Sequence, residues 1–242
     1  MTSWDFPATD PIALHVDIPA GNITVTALAT ETATVTLVPC AAGRRGEEFL
    51  AATRVEFDGG VLSVIAPDQR GFHRGASLDV TVEVPSGSAA ELVTASADVL
   101  CSGELRSLEV RTASGDVAAE RVSGPVRVHS ASGDVRLGDV GELRAETASG
   151  DVQVRATAGD VSVRTASGDV QVGTVTAGRT DITSASGDVS IDVAAGIGVY
   201  LDLSTLSGTA TSDLAATTGD HDATVTLRCR TVSGDVRVGR AA

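Results

Sequence analysis

Five regularly spaced aspartates are the residues of this sequence whose type and arrangement could do chemistry. Each belongs to a Ser-Gly-Asp-Val tetrad, and neighbours are 17 to 19 residues apart: Asp116, Asp134, Asp151, Asp169 and Asp188. If each repeat were one coil of a stacked structure, these carboxylates would form a column with a spacing of roughly 5 Å. Carboxylates at that distance repel one another and need solvent, arginine partners or a cation. We expect them to bind backbone amides in turns, and the column is a candidate calcium site as the alternative.

Other residue types that carry enzyme chemistry are sparse. The most suggestive group is Asp220, His221 and Asp222, although a histidine between two aspartates in a polar loop is usually only solvated. The sequence contains no nucleophile elbow, phosphate-binding loop or zinc-protease signature. We therefore expect no catalytic residues and no cofactor apart from the calcium alternative. Whether the protein is an enzyme stays open at this point.

Lysine and cysteine usage narrows the chemistry further. The sequence has no lysine, which excludes Schiff-base catalysis. Its three cysteines are far apart and lack zinc-site spacing: Cys40, Cys101 and Cys229. Cys101 and Cys229 fall at inward positions of the repeat, so we expect both to be small core residues. Free cysteines fit a reducing compartment, and we expect a cytoplasmic protein.

The positive charges of this protein are all arginines. Nine of them occupy predicted outward positions: Arg111, Arg127, Arg136, Arg144, Arg155, Arg164, Arg228, Arg230 and Arg237. They could align as a partly basic stripe for a carboxylate-rich or sulfated ligand. Because Glu109, Glu120, Glu142 and Glu146 are interleaved with them, we expect mixed charged faces instead.

The overall charge excludes two classes of partner. The chain carries 32 acidic residues against 18 arginines, a net charge of −14. A chain of this sign repels the phosphate backbone of nucleic acids and anionic membrane surfaces. No apolar stretch is long enough to span a bilayer, and residues 1–5 show no signal-peptide pattern. We expect a soluble protein with no nucleic acid partner and no membrane insertion.

The aspartates lie in a nine-residue repeat that is used in pairs. The repeat reads Gly-Asp-Val-x-Val-x-Thr-Ala-Ser, and weaker copies such as Gly159-Asp160-Val161 lie halfway between the tetrads. Alternating valines predict short strands with one face inward. A single unit cannot bury that face alone, so successive units must stack. The sequence therefore predicts an all-β protein, a parallel β-solenoid (β-helix) with coils of about 18 residues.

The repeat is uneven along the chain. Residues 1–90 contain less regular β-strands and one short helix near Glu47–Arg54, and we expect this region to cap or continue the solenoid. Residues 91–242 are the repeat β-solenoid, with an irregular insertion at 194–222.

Several stretches resemble a large bacterial family of β-strand-repeat proteins, a domain of unknown function labelled "putative adhesin". The likeness is carried by the Ala-Ser-Gly-Asp-Val units in residues 112–191 and by the segments 54–67 and 77–88. Tyr200-Leu201-Asp202-Leu203-Ser204-Thr205 is similar to a further family element. The resemblance implies the solenoid fold, and it implies little about activity because fold alone does not define function.

Three functional hypotheses follow from these patterns. We expect a non-enzymatic structural or protein-interaction (adhesin-like) β-solenoid whose partner is another protein or a second copy of itself. The alternative is a calcium- or ligand-binding module that uses the aspartate column. The third hypothesis is a carbohydrate-active enzyme on the solenoid flank.

Overall fold

The described part of the chain is all-β with one short helix. The computed structural model describes residues 1–41, 43–67, 75–214 and 225–241. Contacts divide the chain into two units, Met1–Ser123 and Gly124–Ala242. The boundary expected near residue 90 stays a prediction.

Parallel pairing organises most of the first unit. Its described elements are β1 (Thr2–Pro7), β2 (Ala13–Leu28), β3 (Thr32–Pro39), α1 (Arg44–Ala52), β4 (Arg54–Asp58), β5 (Val61–Ile65), β6 (Leu78–Pro85), β7 (Ala89–Leu105), β8 (Ser107–Ser114) and β9 (Val117–Ser132), which continues into the second unit. Strand β2 pairs in parallel with β5, β6 and β7. Strand β7 pairs in parallel with β8 and β9.

The sheet of the first unit is mixed, so the expectation of a purely parallel solenoid is wrong there. Strands β1 and β3 pair antiparallel, as do β3 and β6, and β4 and β5. The physical reason for the β4–β5 reversal is a two-residue turn at Gly59 and Gly60, whose φ angles are +56° and +80°. Positive φ at both central residues defines the turn that joins antiparallel strands most readily.

The short helix expected near Glu47–Arg54 is confirmed, beginning three residues earlier at Arg44. An ion pair between Arg44 and Glu48, with a 3.0 Å N–O distance, joins successive turns on its exposed side. Phe49 is fully buried and fixes the opposite side. The helix ends at Ala52, and the next residue, Thr53, has an extended backbone and a hydroxyl that donates to the carbonyl of Phe49.

Two parallel strand ladders form the second unit. Its further described strands are β10 (Val135–Ser149), β11 (Val152–Thr157), β12 (Val161–Ser167), β13 (Val170–Val175), β14 (Gly178–Ser186), β15 (Val189–Val193), β16 (Val199–Ser207), β17 (Ala210–Ser212), β18 (Val225–Ser233) and β19 (Val236–Arg240). Ladder A consists of residues 135–140 of β10 followed by β11, β13, β15, β19 and β17. Ladder B consists of residues 143–149 of β10 followed by β12, β14, β18 and β16.

The order of strands in these ladders departs from the order in the chain. Strand β18 lies between β14 and β16, and β19 lies between β15 and β17. The last strands of the chain are therefore enclosed on both sides. Strands β16 and β17, which belong to the segment 194–222 expected to be an irregular insertion, follow them in the ladders.

Alternating apolar side chains from both ladders form the core of the second unit. Val152, Val163, Val170 and Ile182 have at most 1 % of their surface exposed. Burying an aliphatic side chain of this size contributes roughly 1.5–3 kcal/mol, so the repeated valines supply the main driving force for stacking.

Glycine in the Ser-Gly-Asp turn allows successive turns to lie directly against one another. Gly168 has a φ of +132°, and a Cβ added there would lie 2.2 Å from the carbonyl oxygen of Gly150 in the preceding turn. Gly150 and Gly187 have the same geometry, with φ of +127° and +133°. These positions therefore require glycine both for the backbone angle and for space.

We predict that Gly168→Ala lowers the free energy of unfolding by roughly 3 kcal/mol, because the variant combines a strained φ with a clash against backbone. Gly196→Ala is the matched control, since Gly196 also has a positive φ of +79° but has no atom within 4 Å of an added Cβ. It should cost only about 1 kcal/mol. Urea unfolding followed by circular dichroism measures both, and equal losses in the two variants would contradict the stacking argument.

Candidate functional site

The aspartate column is a ladder of side-chain hydrogen bonds to backbone amides. In the second unit, the N–H of Asp151 donates to Oδ1 of Asp134 at 3.0 Å. The same bond joins Asp169 to Asp151 at 2.9 Å and Asp188 to Asp169 at 2.8 Å. In the first unit, the N–H of Asp116 donates to Oδ1 of Asp98 at 3.0 Å. The carboxylates of Asp134, Asp151 and Asp169 thus bind backbone amides, as expected, whereas Asp116 takes part through its own N–H.

The column includes members that the sequence analysis left out. The N–H of Asp235 donates to Oδ1 of Asp188, and the N–H of Thr209 donates to Oδ1 of Asp235, both at 2.8 Å. Asp98 lies in Ala97-Asp98-Val99, which lacks the glycine of the tetrad and was therefore not recognised. Asp235 does lie in a tetrad, but it is distant in sequence from the other five.

No group of three or more His, Cys, Asp or Glu side chains within the described ranges converges as a set of metal ligands. One oxygen of Asp134, Asp151, Asp169 and Asp188 is already directed at a backbone amide. The group at residues 220–222 lies outside the described residues, so the structure does not place it.

The cysteine thiols are poor nucleophiles in this fold. Burial raises the pKa of Cys101 to about 12. Burial, followed by the charges of Asp181 and Asp202, raises the pKa of Cys229 to about 12. Cys40 is exposed, yet desolvation also raises its pKa. Because their pKa values are raised, all three thiols are more fully protonated at neutral pH than an ordinary cysteine. The thiolate is the reactive form, so this protonation lowers their reactivity.

The outward arginines of the second unit are divided between the two ladders, so they do not form one stripe. Ladder A carries Arg136, Arg155 and Arg237, whereas ladder B carries Arg144, Arg164, Arg228 and Arg230. Acidic partners accompany them, as expected for mixed charged faces: Arg136 with Asp134, Arg155 with Asp139, Arg237 with Asp213, and both Arg228 and Arg230 with Asp202.

Glu146 is the centre of an ion-pair cluster on ladder B. Its carboxylate lies 2.8 Å from Arg144, 3.3 Å from Arg164 and 3.4 Å from Nδ1 of His129. The hydrogen bond from Arg144 is the main reason that the pKa of Glu146 lies below its ordinary value. The cluster therefore joins side chains from neighbouring strands into one charged patch.

A groove of about 390 Å³ lies beside this cluster in the second unit. Its lining includes Arg127, Arg144, Ser162 and Asp181. The strand register places Ser162 between Arg144 and Asp181, and its short side chain leaves a depression between two longer ones. Within the described residues, Arg127 has no ion-pair partner and remains available to an anionic group.

Ladder B also carries a row of exposed small side chains that ends in larger apolar ones. Ala148, Ala166 and Ala185 occupy equivalent outward positions next to the last residue of β10, β12 and β14. The equivalent residues are Val232 in β18 and Leu206 in β16, which are 53 % and 84 % exposed. The sequence signal for this row is the change of the middle residue from alanine, in Thr-Ala-Ser and Ser-Ala-Ser, to valine in Thr-Val-Ser and leucine in Thr-Leu-Ser. The sequence analysis did not predict this row.

We predict that Asp169→Ala lowers the free energy of unfolding by about 1 kcal/mol, because the amide of Asp188 loses its acceptor. Asp169→Asn keeps an oxygen at that position and should cost less than about 0.5 kcal/mol. Urea unfolding measures both variants with calcium and with a chelator. A loss that is equal in the two variants and appears only when calcium is present would contradict the amide-binding role and indicate a cation site.

Solved structures with the same fold have low sequence identity to this chain. One is described as a putative adhesin from Bacteroides fragilis; it is 13 % identical, with 98 % of this chain and 96 % of that chain covered and a TM-score of 0.56. Another is described as a putative lipid binding protein from Parabacteroides distasonis; it is 13 % identical, with 100 % and 96 % covered and a TM-score of 0.52. These likenesses show the fold alone.

Within the described residues, no helix has the length and apolar character that crossing a membrane requires.

The sequence of the chain is related to a family and to no single curated protein. No curated protein is significantly similar to it in sequence. The sequence profile of Toastrack DUF4097 matches residues 15–240, nearly the whole chain. The resemblance to a bacterial family of unknown function is thereby confirmed, and the chain belongs to the Toastrack DUF4097 family.

Proposed function

We propose that this protein is a non-enzymatic interaction module that binds a partner protein on the outward face of ladder B. One observation carries the proposal. In the second unit, the large apolar side chains that are exposed among the described residues are Tyr200, Leu206 and Val232, and all three belong to ladder B. Leu206 and Val232 are neighbours on the paired strands β16 and β18, whereas Tyr200 lies at the other end of β16. Exposed apolar side chains that adjoin on one face are typical of an interaction surface.

The surroundings of these apolar residues fit a protein interface. Arg228 and Arg230 lie on the same strand as Val232 and share Asp202 as their acidic partner. Tyrosine and arginine are the residue types that most often dominate binding energy in interfaces. The alanine row beside them leaves room for a partner to approach the strands closely, and the ion pairs form a polar rim.

Cys101 and Cys229 are buried and burial raises the pKa of both thiols, which supports a non-enzymatic role for these two cysteines. The Bacteroides fragilis structure, which is described as a putative adhesin, is compatible with an interaction role. Three free cysteines support placement of this protein in a reducing compartment such as the cytoplasm.

For β10 to β15 we also infer a parallel solenoid with about 18 residues in each coil. The register supports this interpretation, because Val152 pairs with Val170 and Val170 pairs with Val189 in parallel. Strands β18 and β19, which follow only after a longer stretch of chain, pair in parallel with β14 and β15, so equivalent outward side chains of ladder B stay in line.

The experiment compares two faces of the same protein. A tagged copy of the chain is returned to its native cell, and captured proteins are quantified for wild type and for two double variants. One is Arg164→Ser with Arg230→Ser on ladder B, and the other is Arg136→Ser with Arg155→Ser on ladder A. All four arginines are exposed, so both double variants should fold like wild type, which circular dichroism checks.

We expect one specific partner whose recovery falls at least about tenfold in the ladder B variant and is unchanged in the ladder A variant, since a single interface arginine is often worth 1 kcal/mol or more. The purified pair should then show the same difference in dissociation constant. Loss with the ladder A variant instead, or no specific partner for any variant, would contradict the proposal.

A further inference from the structure

Strand β16 is an edge strand of the second unit. It pairs with β18 through Val199–Ser207, and among the described residues no strand pairs with its opposite edge. Proteins commonly protect such edges with proline, lysine or several charges. In β16 the single charge is Asp202, which is already paired with Arg228 at 2.8 Å, and the strand contains no proline.

The inward side chains of β16 are more exposed to solvent than the inward side chains of its neighbour β18. Leu201 and Leu203 pair with Leu227 and Cys229 of β18. The β18 residues have no exposed surface, whereas the two leucines of β16 are half-buried. Apolar side chains on the inner face and an unpaired backbone edge thus coincide on the same strand.

We propose that a second copy of this chain adds its own β16 antiparallel to this edge, which makes a two-fold symmetric dimer. A two-fold axis at Leu203 places Leu203 opposite its own copy, Asp202 opposite Ser204, and Tyr200 opposite Leu206 of the other chain. Such an interface is self-complementary, as the symmetry of a dimer requires.

The side chains of β16 fit this register on both faces. Tyr200 and Leu206, which are 59 % and 84 % exposed in the single chain, form two symmetric aromatic–aliphatic pairs. Asp202 faces a serine hydroxyl instead of another carboxylate. On the inner face, the paired Leu203 side chains bring apolar surface together and shield it from water.

Neighbouring registers of the same face are poorer. An axis at Asp202 places the two Asp202 carboxylates directly opposite each other, which is destabilising. An axis at Ser204 places Asp202 opposite Leu206 and Tyr200 opposite Gly208, so both apolar pairs are lost. The register at Leu203 is therefore selected by charge and by apolar pairing together.

The test changes the charge of one exposed residue in the proposed interface of the whole 242-residue chain. Ser204→Asp opposes a new carboxylate to Asp202 of the second chain, whereas Ser204→Arg opposes a guanidinium to the same residue. Thr183→Asp is the matched control, because Thr183 lies in the same outward row, two strands away from the edge, where Arg230 separates it from Ser204. Sedimentation velocity over a wide concentration range gives the dissociation constant of each.

We expect wild type to associate from the 24.4 kDa chain to a species of twice that mass. Ser204→Asp should weaken the dimer at least about tenfold, Ser204→Arg should leave it as tight or tighter, and Thr183→Asp should change nothing. A monomer at every concentration would overturn the inference. A dimer that Ser204→Asp leaves unchanged, or that both charges weaken equally, would also overturn it.

This inference concerns the edge of β16 and does not rest on the partner proposed for the ladder B face, although Tyr200 and Leu206 belong to both proposed interfaces. The purified chain alone is measured, so failure of the dimer leaves the result of the partner capture unaffected. Conversely, a dimer in the absence of any captured partner would support the edge pairing and contradict the proposed function.

Discussion

Close stacking of the Ser-Gly-Asp turns is the constraint on which the rest of the second unit depends. A glycine in the positive-φ region lies against the glycine carbonyl of the preceding turn, at a distance that leaves no room for a Cβ. The following aspartate then accepts the amide of the next turn through its side chain. Together these contacts fix the register, so the valines that follow must align in the core.

A fixed register also organises the surface. Equivalent outward side chains of successive strands lie in rows, so a change in one repeat alters one point of a continuous face. Three such changes distinguish ladder B. The short side chain of Ser162 lines a groove, and Glu146 forms ion pairs with Arg144 and Arg164. Val232 and Leu206 stand where the other strands have alanine. The same turns and core thus support different chemistry along one face, which is why the fold by itself says little about the partner.

The alternation of apolar residues made much of this structure predictable from the sequence. The strands, the buried Cys101 and Cys229, and the role of the aspartates in turns followed from the period of two and from the properties of Gly and Asp. The antiparallel strands of the first unit were missed, although Asp58-Gly59-Gly60 is a recognisable hairpin signal. The regular repeat of the second half predicts parallel strands, and the sequence analysis extended that prediction to the first half.

Other features could not be read from the sequence for physical reasons. Every repeat presents the same inward pattern, so nothing in the period shows that β18 pairs between β14 and β16. An outward arginine belongs to ladder A or to ladder B according to the strand that carries it. Strands of both ladders have the same alternation of inward and outward residues, so the alternation does not show which ladder an arginine is on. Among the described residues Leu206 lies on the strand that ends ladder B, and it is 84 % exposed, against 53 % for Val232 on the enclosed strand β18. The period does not show which of the two strands is enclosed.

The most direct test of the turn-stacking account is backbone amide exchange measured by NMR under native conditions. The amides of Asp151, Asp169 and Asp188 donate to carboxylates of the preceding turn, so the account predicts that they exchange far more slowly than amides of an unfolded chain. Exchange of these three amides at the unfolded rate, with the amides of Val152 and Val170 still protected, would contradict it. The strands would then stack without the aspartate ladder.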